Sequence, residues 1–160
     1  MQGDVQRRTA QGLPSDDGFI QIELSKQPVP YHIVRCFEDY ITPEDSRSLA
    51  LSSCWLACRC TDVMRGRLAP SMLQRNLTAN CLTKLETMSH LLENHLQNHR
   101  ELREQFCFLP VVPHQILGMF VSPVTLELTA HLTIGRTHYW ANLVFKRVGS
   151  RWMCTLADVG

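Results

Sequence analysis

The strongest constraint on the fold is a strict alternation of apolar and polar residues over positions 124–134. Every even position carries an apolar side chain: Val124, Leu126, Leu128, Ala130, Leu132 and Ile134. The odd positions carry threonine, glutamate or histidine: Thr125, Glu127, Thr129, His131 and Thr133. A period of two places the two sets on opposite faces of a β-strand. The pattern therefore predicts a strand with one face in the core and one face in water.

The residues around this strand predict a β-meander in the last third of the chain. Apolar side chains alternate again over 139–145, and the Gly-Ser pair at 149–150 is typical of a two-residue hairpin turn. We expect three further side chains to continue the buried face: Trp152, Cys154 and Leu156. The apolar residues at 116–120 predict one more strand, which ends before the Ser-Pro pair at 122–123.

The middle of the chain predicts helices. Apolar residues recur every three or four positions without Pro or Gly over 71–104, which predicts one long helix. The spacing over Tyr31–Ile41 predicts a shorter helix that follows an alternating strand at Phe19–Leu24. Thr42 and Pro43 are typical of the cap and first residue of another helix. Residues 48–63 fit a buried helix or a strand, and periodicity does not decide between them.

Together these elements predict an α+β fold, in which an antiparallel β-meander packs against a long helix beside an N-terminal strand–helix unit. Residues 1–18 are polar, contain Gly and Pro and lack periodicity, so we predict a flexible arm. Residues 19–160 are predicted to form a single globular domain, since a chain of 160 residues can bury one core. We find no apolar run of the roughly 20 residues that span a membrane, and no secretory signal pattern.

Charge and motifs argue against an enzyme and against a strongly basic nucleic-acid binder. Sixteen basic and fifteen acidic residues leave a net charge of +1. The sequence lacks a nucleophile elbow, a phosphate-binding glycine loop and an HExxH motif. Glu127 and His131 could act as an acid–base pair on the wet strand face, but a solvated face explains them better. We therefore predict no catalytic residue, no enzymatic activity and no cofactor.

The seven cysteines are predicted to be reduced and to pack as small apolar side chains. Cys54, Cys58 and Cys60 are closely spaced, but they lack the paired C-x2-C pattern of zinc sites. His95 and His99 lie one helical turn apart, a spacing that can hold a metal. We expect them to be solvated helix histidines and predict no metal site.

Two basic clusters and one apolar loop are the candidate interaction surfaces. The first cluster, with its apolar neighbours, is Arg59, Arg65, Arg67, Leu68, Met72 and Arg75. The second cluster is Arg136, Lys146, Arg147 and Arg151. The loop is Phe108, Leu109, Val111 and Val112. Apolar anchors beside cations fit binding to an anionic membrane surface, where each charge contributes about 1 kcal/mol. The alternative for each set is a solvated surface or a loop packed on the core.

Three stretches resemble the matrix proteins of rhabdoviruses, of the vesiculovirus and lyssavirus type. Residues 19–24, Phe-Ile-Gln-Ile-Glu-Leu, followed by a predicted helix over Tyr31–Tyr40, are similar to the opening strand and first helix of that family. Residues 124–132, Val-Thr-Leu-Glu-Leu-Thr-Ala-His-Leu, resemble its threonine-rich strand. Residues 142–147, followed by Gly149 and Trp152, resemble its closing hairpin.

This resemblance implies a non-enzymatic viral matrix protein that bridges the inner face of the membrane and the nucleocapsid. Such a protein self-associates and supports virion assembly and budding. The implied partners are the viral nucleoprotein, an anionic membrane surface and further copies of the chain, without sequence-specific binding of nucleic acid. The implied locations are the virion, the host cytoplasm, the inner face of the host plasma membrane and the host nucleus. The family's basic arm and Pro-Pro-x-Tyr motif have no counterpart here, so membrane contact is expected from a folded patch.

The chain also resembles nuclear-transport-factor-2-like domains, which place helices before a long antiparallel meander. Tyr139, the run Leu143–Phe145 and Trp152 match that pattern. Such a fold curls its sheet around a cavity, so the chain would be a binding or scaffold domain for a small ligand or a protein partner. A cavity lined by Trp140, Phe145 or Trp152 favours this alternative. A filled core with an exposed basic and apolar patch favours the matrix interpretation.

Overall fold

The computed structural model describes residues 12–37 and 41–160, which form a six-stranded sheet with helices against one face. The strands are β1 (Ser15–Ile20), β2 (Val29–Arg35), β3 (Val111–Ser122), β4 (Thr125–Ile134), β5 (Thr137–Val148) and β6 (Arg151–Val159). The helices are α1 (Pro43–Met64), α2 (Ala79–Gln97) and α3 (Arg100–Phe108), and a 3₁₀ turn spans Pro70–Leu73. This arrangement confirms the predicted α+β class.

The strands lie in the sheet in their order along the chain, β1 to β6. Neighbouring strands are antiparallel except for β2 and β3, which are parallel because the helices connect them. The predicted meander is therefore confirmed as β3 to β6. Gly135 and Gly149 each have a positive φ, 59° and 63°, at the first residue of a two-residue hairpin turn. Glycine adopts this conformation at no steric cost, which explains both tight turns.

Residues 48–63, which periodicity left open, belong to helix α1. Thr42 and Asp45 form a capping box at its start: Thr42 Oγ1 accepts from the Asp45 backbone N–H at 3.1 Å, and the Thr42 N–H donates to Asp45 Oδ2 at 3.0 Å. Pro43 follows the cap, as predicted. The side of α1 that faces the sheet is rich in small residues: Ala50, Ser53, Cys54, Ala57, Cys58, Cys60 and Thr61. Small side chains let the helix pack closely on the sheet.

The helix predicted over Tyr31–Ile41 is wrong in the part that the structure describes. Residues 38–40 lie outside the described residues, but Val29–Arg35 is strand β2 between β1 and β3. Val29, Tyr31 and Ile33 are buried at every second position. Apolar residues at 33, 34 and 37 fit a helical stripe as well as a strand, and only pairing with the neighbouring strands decides between them.

The long helix predicted over 71–104 is broken into a 3₁₀ turn, α2 and α3. The backbone of Asn76–Thr78 bonds to strand β6 instead of continuing a helix: Thr78 N–H donates to Cys154 O at 3.0 Å, and Cys154 N–H donates to Asn76 O at 2.9 Å. Thr78 then caps α2. Apolar residues of the predicted stripe, such as Leu73, Leu77 and Leu85, are buried as expected. The helix that carries them is nevertheless interrupted, because Asn76–Thr78 bonds to a strand distant in sequence.

The flexible arm predicted over 1–18 is wrong for its last residues, and residues 1–11 lie outside the described part of the chain. Strand β1 spans Ser15–Ile20, so the strand predicted over Phe19–Leu24 is correct only for its first two residues. Asp16 is buried on β1, where its carboxylate accepts from Ser46 Oγ of α1 at 2.6 Å and from Arg35 Nη2 of β2 at 3.4 Å. These bonds attach β1 to the helical layer.

The buried face of β6 differs from its prediction after Cys154. Val144 pairs with Leu156 and Phe145 pairs with Cys154, so Thr155 is an extra residue in a β-bulge. After the bulge, the buried side chains of β6 fall on odd instead of even positions. Leu156 is therefore exposed and Val159 is buried. Cys154 is buried and Trp152 half-buried on the helix-covered face, as expected.

We predict that Thr42→Ala destabilises the fold by about 1 kcal/mol, because it removes the hydroxyl that caps α1. Thr42→Ser keeps the hydroxyl and should unfold close to the wild type. Urea denaturation of the three proteins measures the difference. An alanine variant as stable as the serine variant would contradict the importance of this cap.

Candidate functional site

Arg65, predicted as part of an exposed basic cluster, is instead buried at the end of α1. Its guanidinium donates to Asp62 Oδ1 from Nε at 2.9 Å and from Nη2 at 2.6 Å. Its Nη1 donates to the carbonyl oxygens of Phe106, at 3.1 Å, and Leu109. These carbonyls belong to the last turn of α3 and to Leu109, the residue that caps it, and acceptors at a helix end need donors from outside the helix. Arg65 therefore fixes the end of α3 against α1 and is not available to a partner.

The contacts of Arg65 bring the predicted loop beside the first basic cluster. Phe108, the last residue of α3, is 71% exposed, the largest value among the large apolar side chains that the structure describes. Arg67 Nη1 donates to Leu109 O at 3.4 Å. A cleft of about 590 Å³ between α1, α2 and α3 is lined by Arg67, Arg103 and Phe108, and Glu93 lies on its α2 side.

Arg136, a residue of the second basic cluster, lies at the same end of the molecule as Phe108. Arg136 follows Gly135 in the turn between β4 and β5, and a Cβ built on Gly135 would lie only 2.7 Å from Leu109 Cδ1. The turn therefore packs against the end of α3. We call this surface the Phe108 corner, and it consists of five exposed residues: Arg67, Arg103, Phe108, Leu109 and Arg136.

The rest of the second cluster lies at the opposite end of strand β5. Lys146, Arg147 and Arg151 surround the β5–β6 hairpin. Strand β5 has twelve residues, so about 35 Å separate this hairpin from Arg136. Arg151 Nη2 donates to Arg75 O at 2.7 Å, which joins this end to a residue of the first cluster. The arginines and lysine of the two predicted clusters are therefore divided differently in the structure, with one group at the Phe108 corner and one at the β5–β6 hairpin.

A second concave surface, the Trp55 groove, lies beside the hairpin end. It has a volume of about 630 Å³ and an apolar lining that includes Leu51, Trp55, Phe145 and Trp152. Asp45 and Arg151 also contribute to its wall. Arg59 lies one turn after Trp55 on α1, and its guanidinium carbon is 4.8 Å from the centre of the indole ring.

The remaining predicted anchors differ in exposure. Met72 is exposed in the 3₁₀ turn, whereas Leu68 is half-buried and packs on the core. Val111 is not in an exposed loop, as predicted, but is a buried residue of β3, and Val112 is half-buried in the same strand. Strand β3 begins at Val111, which leaves only Leu109 and Pro110 as the connection from α3.

The sheet face opposite the helices, which we call the open face, carries a cluster of three histidines beside a tryptophan. His131 Nε2 lies 2.9 Å from His138 Nδ1, and the His131 ring stacks on Trp140 with 4.7 Å between ring centres. His114 Nε2 lies 2.7 Å from Thr133 Oγ1. Sequence reasoning had singled out His131 but missed the other two, because only the strand register brings them together.

The suggested acid–base pair of Glu127 and His131 is not formed. Glu127 pairs with Met119 and Val144, whereas His131 pairs with Gln115 and Trp140. The two are four residues apart on one strand, a distance of about 13 Å. Among the described residues, no group of three or more His, Cys, Asp or Glu side chains could hold a metal ion.

The pKa of His131 is lowered, first because burial disfavours the charged ring and then because of the positive charges of His114 and His138. A histidine with a lowered pKa binds fewer protons when the protein is folded than when it is unfolded. The stability that it contributes is present above the unfolded pKa of about 6.5 and is lost as pH falls through the folded pKa. The cluster therefore disfavours the folded state at acidic pH.

The chain was compared with protein-family models, curated proteins and solved structures, and no match was found in any of the three comparisons. In the part of the chain that the structure describes, none of the helices is both long enough and apolar enough to cross a membrane. The function of the chain must therefore be inferred from its own residues and their geometry.

We predict that the His131 ring titrates below the ordinary histidine value of about 6.5. NMR titration of the imidazole signals measures this midpoint, and the signal that disappears in His131→Gln identifies the residue. A midpoint at or above 6.5 would mean that the cluster is not closely packed in solution.

Proposed function

We propose that this protein is a non-enzymatic viral matrix protein that binds an anionic membrane surface through the Phe108 corner. The observation that carries the proposal is the exposure of Phe108 beside Arg67 and Arg103, at the end of the molecule where the turn that carries Arg136 packs on Leu109. An apolar anchor with cations beside it is the arrangement that interfacial membrane proteins use. The resemblance of the threonine-rich strand and the closing hairpin to rhabdovirus matrix proteins supports the same function, whereas the opening stretch does not, because a strand replaces the helix expected after it.

The composition of the corner predicts weak, salt-dependent binding. Three arginines near an anionic bilayer contribute about 3 kcal/mol in total, and insertion of the Phe108 ring adds up to about 3 kcal/mol. Added salt screens the first contribution and leaves the second. Glu93, on the α2 side of the cleft, opposes part of the attraction. A single protein would bind reversibly, and stable association needs many copies on one membrane.

Self-association through the open face would supply those copies. Its apolar side chains form a row across neighbouring strands: Leu156, Val144, Met119 and Val34. Glu127 lies in the same row between Val144 and Met119. In the part of the chain that the structure describes, helices cover only the other face. Exposed apolar rows of this kind mark protein interfaces. Other copies of the chain and the viral nucleoprotein are the partners that we propose for this face, in the virion and at the inner face of the host plasma membrane.

The Trp55 groove favours a second candidate function, that of a nuclear-transport-factor-2-like binding domain. Phe145 and Trp152 line it, as that alternative requires, and its volume suits a small organic ligand. Trp140 does not contribute, because it lies on the open face of the sheet. Specific quenching of Trp55 and Trp152 fluorescence by a small apolar ligand would favour this candidate over the matrix function.

We predict that the protein floats with phosphatidylserine-containing liposomes at low salt, and that Phe108→Ala and Arg67→Glu/Arg136→Glu each weaken binding about tenfold or more. The first change removes the anchor, and the second replaces attraction by repulsion. Liposome flotation across a salt series measures both effects. We expect added salt to reduce binding of the wild type.

The matched control is Lys146→Glu/Arg147→Glu, which makes the same change in net charge at the opposite end of the molecule. It should reduce binding much less than the corner variant. Equal losses in both double variants would mean that net charge, not the corner, determines binding. Equal binding of the wild type to neutral and anionic vesicles would contradict the electrostatic contribution.

We predict that Met119→Asp on the open face abolishes reversible self-association, since it places a charge in the apolar row. Met88→Asp on α2 is the control, because the two methionines are similarly exposed, 40% and 43%. Sedimentation velocity over a concentration series at low salt measures the association. A wild type that stays monomeric at high concentration, or equal loss in both variants, would contradict the role of this face.

A further inference from the structure

Three charged side chains of both signs line the cleft between α1, α2 and α3 without neutralising one another. Arg67 follows the end of α1, Arg103 lies on α3, and Glu93 lies on α2. Within residues 12–37 and 41–160, neither arginine forms an ion pair, and Glu93 pairs only with His90, at 4.0 Å from its Oε2 to the ring Nδ1. The cleft therefore presents two cationic groups and one anionic group to a ligand.

Hydrogen bonds between the helices fix the walls that carry these charges. Arg65 donates to the carbonyl oxygens of Phe106 and Leu109, which attaches α3 to the end of α1. Ser89 Oγ of α2 donates to Val63 O of α1 at 3.0 Å, which attaches the third helix. The two arginines lie on the α1 and α3 sides of the cleft, and the glutamate lies on the α2 side. The charges are therefore placed by the packing of the helices and not by a mobile loop.

The charges of the cleft match one class of phospholipid headgroup. A phosphoserine headgroup carries a phosphate and a carboxylate, which are the anions that guanidinium groups bind in bidentate geometry. It also carries an ammonium, which can donate to the Glu93 carboxylate. Arg65 is already neutralised by Asp62, so two arginines and one glutamate give the cleft a single net positive charge. The headgroup has a single net negative charge, so both the net charge and its distribution are complementary.

We propose that the cleft is a binding site for the headgroup of phosphatidylserine, in which Arg67 and Arg103 bind the phosphate and the carboxylate and Glu93 binds the ammonium. The inference rests on the proposed membrane function and deepens it, because it identifies the lipid that the Phe108 corner selects. Phe108 lines the same cleft and is 71% exposed, so its ring can enter the bilayer beside a bound headgroup. The volume of the cleft, about 590 Å³, is in the range of small-ligand sites.

Glu93 determines which anionic ligands the cleft rejects. Phosphatidylglycerol has the same net charge as phosphatidylserine but no ammonium, so its headgroup would leave Glu93 unpaired beside a phosphate. A phosphoserine residue in a peptide has a neutral amide in place of the ammonium and is disfavoured for the same reason. Phosphatidylethanolamine keeps the ammonium but lacks the carboxylate, so one arginine would lose its partner. The glutamate that weakens general attraction to anions is therefore the specificity-determining residue of this site.

Vesicle flotation tests this selectivity at a matched surface charge. The full-length protein is mixed at low salt with phosphatidylcholine vesicles that contain equal mole fractions of either phosphatidylserine or phosphatidylglycerol. We expect the phosphatidylserine vesicles to bind about fivefold more tightly, which is the upper range for one exposed ion pair. Glu93→Gln should remove this preference, because binding to phosphatidylglycerol rises once the repulsion is gone.

Glu86→Gln is the matched control, because it makes the same change on the same face of α2, about two helical turns before Glu93, at a residue that does not line the cleft. This variant should keep the preference for phosphatidylserine. Equal binding of the wild type to both kinds of vesicle would leave the membrane function standing and overturn the headgroup site. Equal loss of the preference in both variants would also overturn the site.

A soluble headgroup separates the site from the membrane. NMR titration of the isotope-labelled, full-length protein with glycerophosphoserine should shift the backbone amide signals of Arg67, Glu93 and Arg103. This measurement decides the site even if neither kind of vesicle binds, an outcome that would contradict the membrane function. Three results would overturn the site: no shifts with glycerophosphoserine, equal shifts with glycerophosphoglycerol or glycerophosphoethanolamine, or larger shifts with a phosphoserine peptide.

Discussion

The close packing of α1 against one face of the sheet is the constraint on which the rest of the structure depends. The helix contributes small side chains, Ala50, Ala57 and Cys60 among them, and the sheet contributes large ones such as Phe120 and Leu126. Two buried hydroxyls of α1 do not need partners from the sheet, since Ser53 and Thr61 donate to carbonyls four residues earlier in their own helix. Among the described residues, the dense core therefore lies on one face of the sheet.

This one-sided core decides where surfaces for partners can lie. The Phe108 corner forms at the end of α1, where Arg65 attaches the last turn of α3. The Trp55 groove forms further back along the same helix, beside β5 and β6. None of residues 12–37 and 41–160 covers the opposite sheet face, which carries the apolar row and the histidine cluster. Each of these surfaces follows from the position of a single helix.

The predicted basic clusters show why proximity in sequence is a poor guide to a surface. Arg65 and Arg67 are two residues apart, but one is buried in hydrogen bonds and the other is exposed. Arg136 lies about 35 Å from Arg147, its neighbour in the predicted cluster, because a whole strand separates them. In contrast, Gly135, the residue before Arg136, packs against Leu109, which no local pattern indicates. The fold regroups residues according to strand ends and helix ends.

The sequence alone determined the α+β class, the meander β3 to β6 and the capped start of α1, because strand alternation and helix caps are local properties. Tertiary structure alone decided that Val29–Arg35 is a strand, because it pairs with β1 and β3. Tertiary contacts also divide the predicted long helix into shorter elements, since the backbone of Asn76–Thr78 bonds to Cys154. The histidine cluster and the Phe108 corner both join residues distant in sequence, so periodicity and spacing carry no signal for them.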